Sequence, residues 1–239
     1  MAWEQRILAE GGAGDRLNHW LAKRPALRSS IRSGMQVANA PFAKARMKRE
    51  IERAAKPYRL EIGGHKPRDG WLVTNVNATT RLHLDATKRW PFDDHSVEYI
   101  FSDNVIEHLT LQAGRKMLEE AHRCMQTGGT IRIVTPDLRA HIDMYLGGGS
   151  ALDTAVSNHY KAIGLDVEHP IDLVRIPIAS FGHHEGYLYD FETLRAELHR
   201  AGFGHVNRCE LGKSAHSALA GIDVRETAAE AQLAVEATA

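Results

Sequence analysis

The chain has 239 residues, 43% hydrophobic and 25% charged, with 30 Lys/Arg balanced by 30 Asp/Glu. That is enough apolar chain to bury one sizeable core, the composition is that of an ordinary globular protein, and no low-complexity tract appears. No apolar run approaches the ~20 residues of a membrane span, the N-terminus lacks an apolar signal region, and the two cysteines, Cys124 and Cys209, have no metal-ligand spacing, so a cytoplasmic protein is expected.

Charge is distributed unevenly. Residues 1–57 hold 12 Lys/Arg against 5 Asp/Glu, and the remainder holds 18 against 25. The positive residues of the first segment alternate with Leu, Ile, Met and Val, which reads as a basic helical extension packing on its own domain rather than an arm for nucleic acid or anionic lipid. Residues 13–55 are expected to form two or three helices, punctuated by Pro25 and Pro41.

From Tyr58 onward strands alternate with helices. Tyr58 to Gly63 reads as a first strand, Trp71 to Val76 as a second, Arg81 to Leu84 as a short third and Val97 to Ser102 as a fourth. A helix is expected to start at Val105 to Leu109. Leu111 to Met125 follows with apolar residues on one helical stripe, and Gly128-Gly129 is expected to end it. Thr130 to Val134 is a β-branched fifth strand. Residues 138–180 read as a helical insertion near the acceptor site. Phe191 to Ala201 is a helix capped by Asp190 and stopped by Gly202, and His205 to Leu211 and Gln232 to Ala237 are the closing strands. The alternation calls for a doubly wound, mostly parallel sheet that binds ligands at the carboxyl ends of its strands. Residues 1–57 and 58–239 are the expected units.

Three blocks carry the chemistry. Leu60-Glu61-Ile62-Gly63-Gly64 is a glycine-rich turn after a strand. Trp90-Pro91-Phe92-Asp93-Asp94-His95-Ser96-Val97-Glu98-Tyr99-Ile100-Phe101 leads into Ser102-Asp103-Asn104-Val105-Ile106-Glu107-His108-Leu109. Thr127-Gly128-Gly129-Thr130-Ile131-Arg132-Ile133-Val134-Thr135-Pro136-Asp137 follows. In this order and spacing they resemble class I S-adenosylmethionine (SAM) dependent methyltransferases, in the branch that reads LGCG, NVD, LPFPDxSFD, EHL and PGG. The resemblance covers residues 58–137 and, more loosely, 182–237. It implies a seven-stranded α/β sheet with an antiparallel last strand, and SAM as cofactor.

By that resemblance Gly63 and Gly64 lie against the methionyl part of SAM, and Glu61 orders the loop and reaches the amino group. His65 stands where the family has a second glycine. Asn77 replaces the usual acid that takes the ribose hydroxyls, Asp85 with Ala86 matches the adenine cap, and Ser102 and Asp103 flank the sulfonium. Methyl transfer to a hydroxyl needs a base near neutral pKa, for which histidine is the default. The candidates are His108, one of His183 and His184, and Asp137 after the fifth strand. A divalent metal is not favoured. Asn104 stands where a metal-binding relative of this motif carries an acid, leaving Glu107, His108 and a downstream histidine, with Asp103 or water, as a weaker set.

The expectation is therefore an O-methyltransferase for a small acceptor. Analogy with the branch points to a sugar or oligosaccharide intermediate of polysaccharide biosynthesis, and a homodimer is compatible with the sequence. The altered positions His65 and Asn77 motivate a second reading, a non-catalytic binding module. Nucleic-acid methylation is disfavoured by the acidic main domain and the absence of a base-flipping motif.

Overall fold

The computed structural model describes residues 25–77, 79–225 and 231–239, with the side chains of residues 25–33 and 36 left undescribed. The part of the N-terminal expectation that falls on residues 13–24 lies outside these. The elements are α1 (Pro25–Arg53), β1 (Tyr58–Ile62), β2 (Leu72–Asn75), β3 (Leu82–His83), β4 (Val97–Asp103), α2 (Leu111–Cys124), β5 (Met125–Pro136), α3 (Leu138–Leu146), α4 (Ala155–Ala162), α5 (Asp172–Ala179), α6 (Phe191–Arg200), β6 (Gly204–Cys209) and β7 (Gln232–Thr238). Among the described residues no helix is long and apolar enough to cross a membrane.

The seven strands form one sheet in the order β3-β2-β1-β4-β5-β7-β6. β3, β2, β1, β4 and β5 are parallel, and β7 runs antiparallel to both β5 and β6. This is the doubly wound, mostly parallel sheet the alternation calls for. Strand β5 is buried without interruption from Thr130 to Pro136, as a central strand covered on both faces should be. The main core gathers Leu60, Ile62, Ile100, Ile131, Ile133 and Val235 from the strands with Met117, Leu118, Ala121, Leu194 and Leu198 from helices. A second cluster, with Val156, Tyr160, Leu173 and Ile176, joins the 138–180 segment to Ala231.

Three local expectations change. Pro41 lies inside one continuous helix rather than between two. It removes a single backbone donor on an exposed turn, while Ala43 and Met47 bury completely and Ile51 packs beside them, an i, i+4 stripe on the core that outweighs the lost bond. Asn39 Nδ2 also donates to the Thr80 carbonyl at 2.9 Å, and the Tyr58 hydroxyl to that of Ile51 at 3.1 Å. The segment Ile106–His108 is a single 3-10 turn rather than the start of a longer helix, since α2 begins afresh at its own cap, Thr110. Helix α2 ends at Cys124, before the glycines. Gln126 to Gly129 bulges out within β5, between the pairings Val97↔Met125 and Tyr99↔Thr130, with Gly128 at φ +79°.

One charge is wholly inside. The Arg132 side chain, 0% exposed on β5, pairs with Asp223 at 2.8 Å and Glu236 at 2.6 Å, and donates to the carbonyls of Glu210 at 2.9 Å and Lys213 at 3.0 Å. Removing one partner of such a buried network leaves the others uncompensated. Arg132→Met should therefore cost about 3–5 kcal/mol, read as a fall in the urea midpoint. A loss under about 1 kcal/mol, the range of an exposed pair, would show that the network is not holding the fold.

Candidate active site at the carboxyl ends of the parallel strands

The parallel register brings the ends of β1, β2 and β4 side by side, with Ile62 opposite both Thr74 and Ser102. The chain turns sharply after Ile62 because Gly63 sits at φ +83°, where a Cβ would lie 2.2 Å from Val105. At Gly64 a Cβ would meet Val73 at 2.4 Å and the Glu61 carboxylate at 2.6 Å. Asn75 Nδ2 ties the turn down by donating to the carbonyls of Gly63 at 2.8 Å and Gly64 at 3.2 Å. Glu61 takes an ion pair from Arg68 at 2.8 Å. The two departures from the family pattern meet each other: Asn77 Nδ2 lies 3.2 Å from His65 Nδ1. Asp85 begins its own turn, its Oδ1 accepting from the Thr87 amide at 3.0 Å and the Thr87 hydroxyl at 2.7 Å, and Ala86 is buried beside it.

At the end of β4, Ser102 Oγ is buried without a hydrogen-bond partner among the described residues. Asp103 is bonded by Arg225, which also reaches Asn104 Oδ1 at 3.5 Å. Burial raises the Asp103 carboxyl above its usual range, and the guanidinium opposes that rise. An orphaned hydroxyl, a tight glycine turn and the carboxylates of Glu61, Asp85 and Asp103, two of them accompanied by Arg68 and Arg225, suit SAM, whose sulfonium and amino group are positive and whose carboxylate is negative.

The second half of the site forms where two 3-10 turns, Ile106–His108 and His183–Glu185, touch. Gly186 makes the approach feasible, since a Cβ there would lie 1.8 Å from the Glu107 carbonyl oxygen. The rings of His108 and His183 meet edge to face at 4.7 Å. Glu107, His108 and His183 each present a donor atom within 4.8 Å of the others. Glu107 is entirely buried: Oε2 accepts from the Thr135 hydroxyl at 3.1 Å, while Oε1 has no partner. Desolvation pushes its carboxyl up to about 8. His183 Nδ1 bonds the Pro177 carbonyl at 2.7 Å, and His108 bonds the Gly182 backbone. Burial lowers both imidazoles, and His183 lowers His108 further.

Two candidates stand apart from this cluster. His184 is exposed. Asp137, 1% exposed, is a helix cap and an ion-pair partner rather than a free acid. Its Oδ1 accepts from the amides of Arg139 at 3.0 Å and Ala140 at 3.4 Å, and its Oδ2 accepts from Arg208 at 2.6 Å. Sequence reasoning missed Arg68, Asn75, Val105 and Arg225. Only Asn75 carried a visible signal, as a polar residue at a strand end.

Behind the cluster, Pro177 lacks the N–H that would satisfy Leu173 four residues earlier, and the His141 side chain bonds that carbonyl instead. His141 is 1% exposed and its Nδ1 has no partner, so it must stay neutral, and burial pushes it down to about 4.

A model of the methyltransferase-domain family matches residues 66–133, from the loop after β1 into β5. No curated protein matches the chain. Solved structures with a similar fold include a SAM-dependent methyltransferase of Thermotoga maritima, described as a possible histamine N-methyltransferase, at 15% identity and TM-score 0.40, covering 84% of this chain and 91% of that one. Another is a SAM-dependent methyltransferase of Archaeoglobus fulgidus, at 16% and 0.43, covering 84% and 94%. Phosphoethanolamine N-methyltransferase 2 of Haemonchus contortus, in complex with SAM, is similar at 17% and 0.38 over 72% of this chain and 39% of that one.

The sign of one pH effect follows from His141. Its folded pKa of about 4 lies below the ordinary 6.5, so on acidification the unfolded chain takes up a proton first. The stability it contributes is present above pH 6.5 and is lost as pH falls towards 4. Melting temperature should fall across that window, and less steeply in His141→Gln, which keeps a donor but cannot titrate there. Equal slopes for the two proteins would contradict this.

Proposed function

Taking the chain as a class I SAM-dependent methyltransferase, with SAM as its methyl donor, we propose that it methylates a hydroxyl oxygen of a small, sugar-like acceptor. The observation that carries this reading is the convergence of Glu107, His108 and His183 just beyond the cofactor-side residues Ser102 and Asp103. Bound SAM supplies a methyl carbon activated by a sulfonium. The residues of this chain hold the acceptor in line, exclude water and receive the hydroxyl proton.

On the donor side, the Gly63-Gly64 turn and Glu61 take the amino-acid part, His65 and Asn77 the ribose, Asp85 and Ala86 the adenine, and Ser102 and Asp103 the region of the sulfonium. On the acceptor side, desolvation where the two turns meet lowers both imidazoles, and His183 lowers His108 further, so His108 favours the neutral form that accepts a hydrogen bond from a hydroxyl. His108 is exposed and His183 is buried behind it, which makes His108 the residue an acceptor meets. The 138–180 insertion contributes to this side through the Pro177 carbonyl that fixes His183. An exposed Phe181 ring, 5.8 Å from that of His183, offers a flat apolar surface of the kind on which the face of a pyranose ring stacks.

Asp85→Ala should weaken SAM binding about tenfold or more, the ~1.5–3 kcal/mol of a hydrogen bond to a charged group, as read by calorimetry on folded protein. Unchanged affinity would place the adenine elsewhere.

His108→Ala should lower turnover by roughly 10²–10⁴-fold with SAM affinity intact. A screen with labelled SAM against monosaccharides, oligosaccharides, phenols and small amines tests the acceptor class. Turnover of hydroxylated sugars is the expected result, and turnover confined to amines would overturn the O-methylation reading.

A further inference from the structure

We propose that Glu107, His108 and His183 together form a binding site for one divalent first-row transition-metal ion of the Zn²⁺ or Co²⁺ class. The inference rests on the reading that the acceptor meets this cluster; with the ion bound, the free nitrogen of each imidazole is a ligand, so an acceptor hydroxyl would be acidified by the metal and lose its proton to solvent rather than to His108.

The geometry has three parts. First, one donor atom from each side chain lies within 4.8 Å of the other two. Bonds of 2.0–2.1 Å in tetrahedral geometry set neighbouring donors roughly 3.4 Å apart, so closure needs an inward shift of about an ångström, within reach of a small rotation of the exposed His108.

Second, each ligand is already oriented through its other polar atom. Thr135 holds Glu107 Oε2 at 3.1 Å, the Pro177 carbonyl holds His183 Nδ1 at 2.7 Å, and the Gly182 backbone holds His108. Such outer contacts, carbonyls on imidazoles above all, fix the tautomer and aim the remaining nitrogen of a metal-binding histidine. Third, Glu107 Oε1 is buried in a residue 0% exposed and has no hydrogen-bond partner among the described residues. A carboxylate oxygen stranded in this way is costly, and a cation satisfies it.

The protein's own cation is engaged nearby. Arg225 is bonded to Asp103 and Asn104, which also withdraws Asp103 from the ligand set. The motif lacks an acid at Asn104, and the fold brings His183, the downstream histidine, from a distant segment to the remaining pair. Two imidazoles and one carboxylate select transition ions over Mg²⁺ or Ca²⁺, which prefer all-oxygen sites. Three protein ligands leave positions open, where acceptor hydroxyls would bind and acidify.

The test uses the full chain without an affinity tag, stripped of metal by chelator and titrated with Co²⁺. The expected result is visible d–d absorption saturating at about one ion per chain, displaced by Zn²⁺ but not by millimolar Mg²⁺. His108→Ala and Glu107→Gln should each weaken uptake at least about tenfold. His108 is exposed, so its variant should melt like wild type. Absence of stoichiometric uptake by the wild type, or uptake unchanged in His108→Ala, would overturn the site. SAM calorimetry on the same samples separates the two readings: intact SAM binding without metal uptake removes only the metal, whereas loss of SAM binding in the wild type removes the donor reading itself.

Discussion

The buried guanidinium of Arg132 is the constraint on which the functional end of this sheet depends. It lies on the central strand β5, faces Glu236 directly across the antiparallel β5–β7 pair, and gathers Asp223 with the carbonyls of Glu210 and Lys213. An arginine can satisfy so many acceptors because its planar fork carries five donors. Those contacts fix the 210–223 connection, and two residues after Asp223 the chain delivers Arg225 to Asp103. A charge inside the sheet thereby determines which cation stands at the rim of the cofactor site.

The acceptor side follows a different logic, one of backbone approach. Gly182, at φ +88°, and Gly186, pressed against the Glu107 carbonyl, let one short turn lie on another. Side chains four atoms from either backbone are then set in place without flexible linkers. Phe181, at φ +62°, shares the strain of this turn, and so does Asn104, at φ +50°, on the opposing one. Non-glycine residues held in this region cost free energy and persist where surrounding structure enforces them. Here they flank the cluster on both sides.

Much of this was legible in the sequence because strands and turns obey local rules. The β-branched run Thr130 to Val134, the glycine turn at Gly63 and the Asp190 cap of α6 each follow from residues within one turn of chain. Pro41 was misread because its local penalty is small beside the tertiary burial of Ala43 and Met47, which no window reveals. The Gln126–Gly129 corner was placed at a helix end rather than inside a strand because a glycine pair signals a turn without saying which element continues. Glu107 and His108 stood out as a pair, yet His183 could not be distinguished from His184, since one ring bonds Pro177 and is buried while its neighbour is exposed. Arg132 and Arg225 were unreadable for the same reason: their partners lie far along the chain.

The strand order has a consequence for how the molecule assembles. Among the described residues β6 joins the sheet through β7, which lies between it and β5. A chain emerging from the ribosome in sequence order presents β6 well before β7, with which it pairs, and the five parallel strands can close first. In the interval β5 offers an open edge of buried residues, Thr130 to Pro136, the kind of surface that recruits strands from other molecules. β7, the last strand in sequence, therefore covers that edge and brings β6 into the sheet.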